Sequence, residues 1–335
     1  MTTETVPIPP RLDNARVSTR TTPEYSLVIP IYNEEATIPE LVRRLAGLIG
    51  KLDGDAEVVL VDDGSSDGSY ELMREAREAD PRFKLLRLSR NFGHQIAVTA
   101  GLDVAAGNAV IVMDADLQDP PEVALELAAR WRDGYEVVYA VREEREGETP
   151  FKRATATLFY RLFRRMSDVD VPLDVGDFRL VDRRALDAFR SMRESNRYVR
   201  GMFSWIGYRQ VGVPFRREER YAGETKYPLR KMLKFATDGI VSFSAYPLRL
   251  ALNLGFIVSA LSFLLGVVFL VSKFAGFYSV PGLASIAVFV AFLGGIQLLL
   301  IGIMGEYVAR IHDEVKGRPL YLVSDTQGLD SPRVP

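Results

Sequence analysis

A chain of 335 residues, 47% hydrophobic and 26% charged, is long enough for one sizeable domain with an appendage. Its formal charge of -2 and isoelectric point near 5.9 argue against the broad basic surface that nucleic-acid binding demands. The absence of cysteine excludes disulfides and thiolate ligands, and with only 2 histidines any metal is expected to be a hard cation held by oxygen.

Residues 1–24 are polar and rich in Thr and Pro, without an apolar signal core, and are expected as a disordered leader. "YSLVIPIYN" (25–33) and "AEVVLVDDG" (56–64) are short Val- and Ile-rich runs that predict strands, and "EEATIPELVRRLAGLIGKL" between them has apolar residues at helical spacing. The alternation continues: "SYELMREAREA" reads as a helix, "FKLLRLS" as a strand, "HQIAVTAGLDVAAG" as a helix and "AVIVMDAD" as a strand. "PPEVALELAARWRDG" then reads as a helix opened by prolines and closed by Gly, and "EVVYAVR" as a further strand. This pattern predicts an α/β fold with a parallel, doubly wound sheet whose ligands gather at the carboxyl ends of the strands.

Past Arg142 the chain turns charged, then amphipathic and basic, with Phe159, Tyr160, Leu162 and Phe163 among Arg153, Arg161, Arg164 and Arg165. That stretch suits either a helix on a membrane surface or a solvated helix packed on the sheet, and residues 226–247 suit amphipathic juxtamembrane helices. Leu250 to Ser272 and Phe274 to Gly305 carry no charged side chain, each run exceeding the roughly 20 apolar residues of a spanning helix. Two transmembrane helices are therefore expected, at about 250–272 and 282–304. Arg230, Lys231, Lys234 and Arg249 precede them and Arg310, Lys316 and Arg318 follow, against Lys273 alone in the connecting loop. By the positive-inside rule both termini, and a catalytic domain over 25–225, are expected on the cytoplasmic side of the inner membrane. In the tail, 306–335, the stretch "EYVARIHDEVKGRPLYLV", which includes His312, reads as a helix that runs along the membrane or packs on the catalytic domain.

The chemistry gathers where strands are expected to end. In "VMDADLQDPPE" (112–122), Asp114 and Asp116 with Gln118 offer oxygen ligands to Mg²⁺ or Mn²⁺, and such an ion would bridge a substrate diphosphate and stabilise its charge on leaving. Asp119, directly before two prolines, reads as a helix cap. In "VDDGSSDGS" (61–69), Asp62 and Asp63 are suited to accept hydrogen bonds from a base or a ribose, and Ser66 and Asp67 to cap the next helix. Pro30, Tyr32, Asn33 and Glu34 of "PIYNEE" come to the same edge. No G-x-G-x-x-G follows the first strand and no G-x-x-x-x-G-K-[ST] occurs, which disfavours dinucleotide and P-loop readings. His94 in "NFGHQIA" reads as a cap or core donor and is assigned no chemistry.

In chain order, "SLVIPIYNEE", "VVLVDDGSSD", "MDADLQDPPE", "GDFRLVDRRAL", "RYVRGMFSWIGYRQ" and "YAGETKYPLRKM" together resemble the inverting glycosyltransferases of family 2 with the GT-A fold. Within that family they look like the polyprenyl-phosphate enzymes, the bactoprenol glucosyltransferases above all and, more distantly, dolichol-phosphate mannose synthase; the resemblance covers about residues 25–320. It implies that Asp114 and Asp116 are the metal-binding D-x-D, with Gln118 as a further ligand, and that Asp62 or Asp63 with Pro30, Tyr32 and Glu34 forms the nucleotide pocket. Asp177 of "GDFRL" is implied as the acid near the acceptor, either a general base or a positioning group, the plainer alternative being a pair with Arg179 or Arg183. Arg142, Arg153, Arg200 and Lys226 match the family's phosphate contacts, with Arg145 and Lys152 close enough to stand in for Arg142 or Arg153. The implied partners are a nucleotide sugar, a polyprenyl phosphate and membrane lipids. UDP-glucose is the favoured donor, GDP-mannose or a UDP-aminosugar the alternatives, and self-association is left open. A scaffold without activity would be expected to lose the D-x-D or Asp177, and the Q-x-x-R-W segment of processive synthases is missing.

Overall fold

The computed structural model describes residues 22–143, 175–217, 246–275 and 283–329. The Val-, Ile- and Leu-rich runs form β1 (Tyr25–Ile31), β2 (Ala56–Asp62), β3 (Phe83–Leu88) and β4 (Ala109–Val112). These strands are apolar on both faces because helices cover both sides of the sheet. β1 pairs in parallel with β2 and β4, and β2 with β3. The helices between them are α1 (Ile38–Ile49), α2 (Ser69–Ala79) and α3 (His94–Val104). After α4 (Val123–Arg132) come β5 (Val137–Arg142), β6 (Val175–Asp182), α5 (Arg183–Ser191), α6 (Val199–Trp205) and β7 (Gln210–Phe215).

The α/β expectation holds, but the sheet is mixed rather than wholly parallel, with strand order β7-β5-β6-β4-β1-β2-β3-β8, where β8 is Val323–Gln327. β6 runs antiparallel to both β4 and β5. Its beginning, not its end, therefore meets the carboxyl end of β4, and that reversal carries Asp177 to the acids of the D-x-D. β8 lies antiparallel on the outer edge of β3, giving partners to backbone groups that an open edge would leave unpaired.

One core layer packs Ile38, Leu41 and Leu45 of α1, Met73 of α2 and Leu127 of α4 against Leu27, Ile29 and Phe178. The other packs Val98 of α3, Leu186 and Phe189 of α5 and Phe203 of α6 against Val28, Val61 and Val112. Each such fully buried side chain stabilises the fold by roughly 1.5–3 kcal/mol. The rings of Phe189 and Phe203 stack with centroids 4.5 Å apart, joining α5 to α6.

Two long apolar helices follow, α7 (Tyr246–Phe274) and α8 (Leu283–Val315). Leu248–Val268 and Phe292–Val315 are long and apolar enough to cross a membrane, with mean hydropathies of 2.2 and 1.6, and none of either window is buried within the protein. The second helix runs past residue 304, where the span was expected to end, into the tail. It continues through Glu306, Arg310 and Glu314 to Val315, and Gly317, at φ +56°, then turns the chain. The tail is accordingly a helix end followed by a strand, not one helix. The expected leader up to residue 21, the amphipathic segments around Phe159 and over 226–245, and Arg145, Lys152, Arg153 and Lys226 lie outside the described residues.

Candidate active site

The register of β4 against β6 pairs Val112 with Arg179. Continued by two residues along each strand, the same register sets Asp114 opposite Asp177, and the two carboxylates influence each other's ionisation. Asp177 is 4% exposed and fully engaged: Arg200 donates from Nε to Oδ1 at 2.8 Å, Gln95 donates to Oδ2 at 3.2 Å, and His94 Nε2 lies 3.0 Å from Oδ2. Its arginine partner is thus Arg200. Arg179 instead donates to the Gly176 carbonyl at 3.0 Å and lies over the Phe203 ring, while Arg183 donates to the carbonyls of Ala105 and Gly107. The alternative pairing of Asp177 with Arg179 or Arg183 is therefore set aside.

Burial alone would raise the Asp177 carboxyl, but the charge of Arg200 and the hydrogen bonds from His94 and Arg200 hold it well below the usual carboxylate range. The protein packed around His94 pushes the imidazole down, yet the Asp177 bond and the charges of Asp114 and Asp177 outweigh this and lift it to about 9. At neutral pH the ring is cationic and donates to Asp177. His94 Nε2 also stands 3.5 Å from Asp114 Oδ1. His94, Asp114 and Arg200 keep 44%, 28% and 29% of their side chains exposed, so these three, unlike Asp177, can meet a ligand. His94, given no chemistry from sequence, thus belongs to the cluster, as does Gln95. The available signal was a Gly-led helix start, Gly93 at φ +100°, at the edge where the acids end their strands.

Asp116 accepts a hydrogen bond from the Gln118 backbone N–H at 3.1 Å in the turn that holds Leu117 at φ +56°. Asp119 does not cap a helix. α4 starts at Val123 behind a turn through Pro120 and Pro121, and Asp119, 1% exposed, lies against Arg142 (3.4 Å) and Arg217 (3.2 Å). Its charge is matched by arginines at the ends of β5 and β7, a tertiary partnership that overrides local capping preference. Arg142 is brought to this pair and not to the Asp177 cluster, and Arg217 was not singled out from sequence.

The first-strand loop and the second-strand loop are stitched together. Ser66 N–H donates to Asn33 Oδ1 at 2.8 Å, Asn33 N–H to Ser65 at 3.0 Å, and Glu34 N–H to Ser69 at 2.9 Å. Asn33 sits at φ +54°, a conformation that Asn tolerates better than most residues. Tyr32 beside it is 48% exposed, while Pro30 is buried in β1. Asp62 is wholly buried, accepts from Ser65 N–H at 2.9 Å and lies 3.0 Å from Arg87 Nε. Asp63 accepts from the N–H groups of Phe92 (2.7 Å) and Gly93 (2.9 Å), fixing the loop that delivers His94.

The D-x-D can be tested for a metal on its own donors. Asp114 Oδ1 is buried and accepts no hydrogen bond among the described residues. Burial, with the charges of Asp177, Asp116 and Asp119, pushes this carboxyl up to about 6 against the pull of His94. An anion so strained, with Asp116 and Gln118 beside it, fits a hard divalent cation. No group of three or more His, Cys, Asp or Glu converges as a ligand cage among the described residues, so substrate oxygens or water would have to complete the coordination.

Residues 26–190 match the family model described as glycosyl transferase family 2. The chain is 49% identical over 311 residues to the uncharacterized glycosyltransferase YkcC of Bacillus subtilis, covering 93% of this chain and 96% of that protein. It is 46% identical over 307 residues to the uncharacterized glycosyltransferase sll0501 of Synechocystis, covering 92% and 96%. It is also 38% identical over 298 residues to the SfII prophage-derived bactoprenol glucosyl transferase of Shigella flexneri, covering 89% and 96%. The mixed sheet with its acids at one edge and this relatedness over most of its length lead to one conclusion: the chain belongs to glycosyl transferase family 2 and is a glycosyltransferase.

Proposed function

We propose that this glycosyltransferase moves glucose from UDP-glucose to the phosphate of a polyprenyl lipid at a membrane surface, inverting the anomeric carbon. The observation that carries the lipid acceptor is the joining of a family 2 domain to two apolar helices left unburied by the protein, α7 and α8. The likeness to a bactoprenol glucosyl transferase over 298 residues supports it and favours glucose as the sugar. A lipid phosphate is confined to the membrane surface, so an enzyme held there meets it at raised effective concentration.

In this reading an oxygen of the lipid phosphate forms the new bond to the anomeric carbon while the bond to the diphosphate breaks, its electron pair leaving on UDP. The acceptor is already anionic, so little proton abstraction is needed. Asp177, held ionised, serves mainly to orient the cations Arg200 and His94, which would face the two anionic reactants. Asp114, Asp116 and Gln118 would hold Mg²⁺ or Mn²⁺, which supplies charge stabilisation to the leaving diphosphate. Pro30, Tyr32, Asn33 and Glu34, with Asp62 and Asp63 beneath, would bound the nucleotide, and Arg142, Arg153 and Lys226 would take further phosphate contacts. The basic residues outside the apolar helices favour a two-span protein with the catalytic domain and both termini cytoplasmic.

The test incubates the purified chain in lipid nanodiscs with undecaprenyl phosphate, Mg²⁺ or Mn²⁺, and in turn UDP-glucose, GDP-mannose and a UDP-aminosugar. Glucolipid and UDP are expected from the first. Turnover with another donor alone would move the sugar assignment, and no turnover with any donor, or equal turnover after Asp116→Asn, would sink the mechanism.

A further inference from the structure

The chain leaves its last apolar helix and comes back to grip the helix that presents His94. Strand β8 pairs with β3, and Ser89 N–H donates to the Leu322 carbonyl at 2.8 Å. Next to this pairing Tyr321, 5% exposed, sits in the core layer of α3, α5 and α6 and donates its hydroxyl to Asp103 Oδ2 at 2.9 Å. Asp103 lies in the last turn of α3, whose first residues are His94 and Gln95. With a rise of about 1.5 Å per residue, the tyrosine holds α3 roughly 13–14 Å from the end that meets Asp177.

The hold extends to the second helix of the cluster. Arg193, in the connection between α5 and α6, donates to both oxygens of Asp103 at 2.9 and 3.0 Å. Two residues further, Ser195 N–H donates to Glu314 in the last turn of α8 at 2.8 Å. At the opposite end Gln95 joins the same two helices, accepting from Val199 N–H at 3.0 Å while donating to Asp177. The helix bearing His94 is therefore tied at one end by the active-site acid and at the other by Asp103 and Tyr321, while Arg193 and Ser195 fasten to Asp103 and Glu314 the connection that leads into the helix bearing Arg200.

We infer that Tyr321 and Asp103 are positioning residues of the glycosyl transfer: the segment returning from α8 is a strap that fixes the helices of His94 and Arg200 relative to Asp177. The inference rests on the reading of the Asp177 cluster as the active site, although its main test needs no substrate. A rigid body made of α3, α6 and the end of α8 keeps the two cations in register, so loosening its outer end lets both drift from the acid. Positioning losses of this kind appear in kcat and not in the binding of the donor.

Tyr321→Phe removes one hydroxyl and leaves the buried ring, and Asp103→Asn keeps the shape while weakening both the tyrosine and the arginine contacts. In the full chain in nanodiscs, amide hydrogen exchange over 94–104 and 199–205 is expected to rise roughly ten- to a hundredfold in each variant, the scale of one lost hydrogen bond to a charged group, with β1 and β2 unchanged. Transfer from UDP-glucose to undecaprenyl phosphate should show kcat lowered several-fold and the donor KM within about twofold. Unchanged exchange in both segments overturns the inference, as does a rise spread evenly over the sheet, which would make the contacts general stabilisers. Local loosening with an unaltered kcat overturns it too. A wild-type chain that fails to glucosylate this lipid counts against the acceptor proposal alone, and exchange still decides the strap.

Discussion

Asp63 and Asp114 follow β2 and β4, the two strands that flank β1, at one edge of the same sheet, and their carboxylates are used in opposite ways. Asp63 spends both oxygens on the backbone N–H groups of Phe92 and Gly93, and the next residue, Gly64, lies at φ +71° against the Arg90 backbone, where an added Cβ would come within 2.5 Å. That loop is framework, built to bring His94 into place. Asp114 keeps an oxygen without a hydrogen bond and stands buried near Asp177 and Asp116, a costly arrangement that the charge of His94 offsets only in part and that a cationic ligand would relieve. An acid at a strand end is thus a candidate for chemistry when local backbone donors have left it unsatisfied, and its position in the sequence motif alone does not distinguish the two cases.

Substitutions can break this contrast, and the largest effect is expected at the working cluster. Asp177→Asn removes the charge that orients Arg200 and His94, and kcat should fall by about 10²–10⁴-fold, measured as UDP release with circular dichroism as a check on folding. Asp116→Asn should cost about 10²–10³-fold, and chelation of divalent ions from the wild type should abolish turnover until Mg²⁺ or Mn²⁺ is restored. Activity untouched by chelation would remove the metal from the scheme. On the framework side, Asp63→Asn should lower the free energy of unfolding by about 1.5–3 kcal/mol through its two charge-assisted bonds. Its kcat should fall by less than about tenfold, through His94 alone. A kcat loss at Asp63 equal to that at Asp177, with stability intact, would erase the distinction.

The order of elements from β1 to β5 is legible in the sequence because each is a local pattern: two-sided apolar runs for buried parallel strands, spacing of three and four for the helices. β6 escapes that logic. It buries Asp177 and Arg179 inside "VGDFRLVD", where the partners that make such burial tolerable come from α3 and α6. β8, "VSDTQ", is polar because it is an edge strand, and only the open side of β3 makes it a strand at all. His94 illustrates the same limit in the site. Its partner Asp177 lies 83 residues away, and no spacing rule connects them. The D-x-D was visible as a motif, while Asp119 beside it took its role from Arg142 and Arg217, which only folding brings near.

The smallest expected effect separates framework from contact within the first loop. Asn33→Gly deletes the bond from Ser66 N–H to Asn33 Oδ1, worth about 0.5–1.5 kcal/mol. It also relieves the left-handed backbone at φ +54°, which glycine adopts freely, and that gain opposes the loss. The two terms nearly cancel, so thermal denaturation should shift by less than about 1 kcal/mol. The kinetic consequence then reports on contact alone. If Asn33 serves the nucleotide chiefly by shaping the loop, the donor KM should stay within about threefold and kcat should not move. A tenfold rise in donor KM at unchanged stability would instead place the Asn33 side chain against the nucleotide, and the first-strand loop would move from the framework side of the comparison to the side of Asp114.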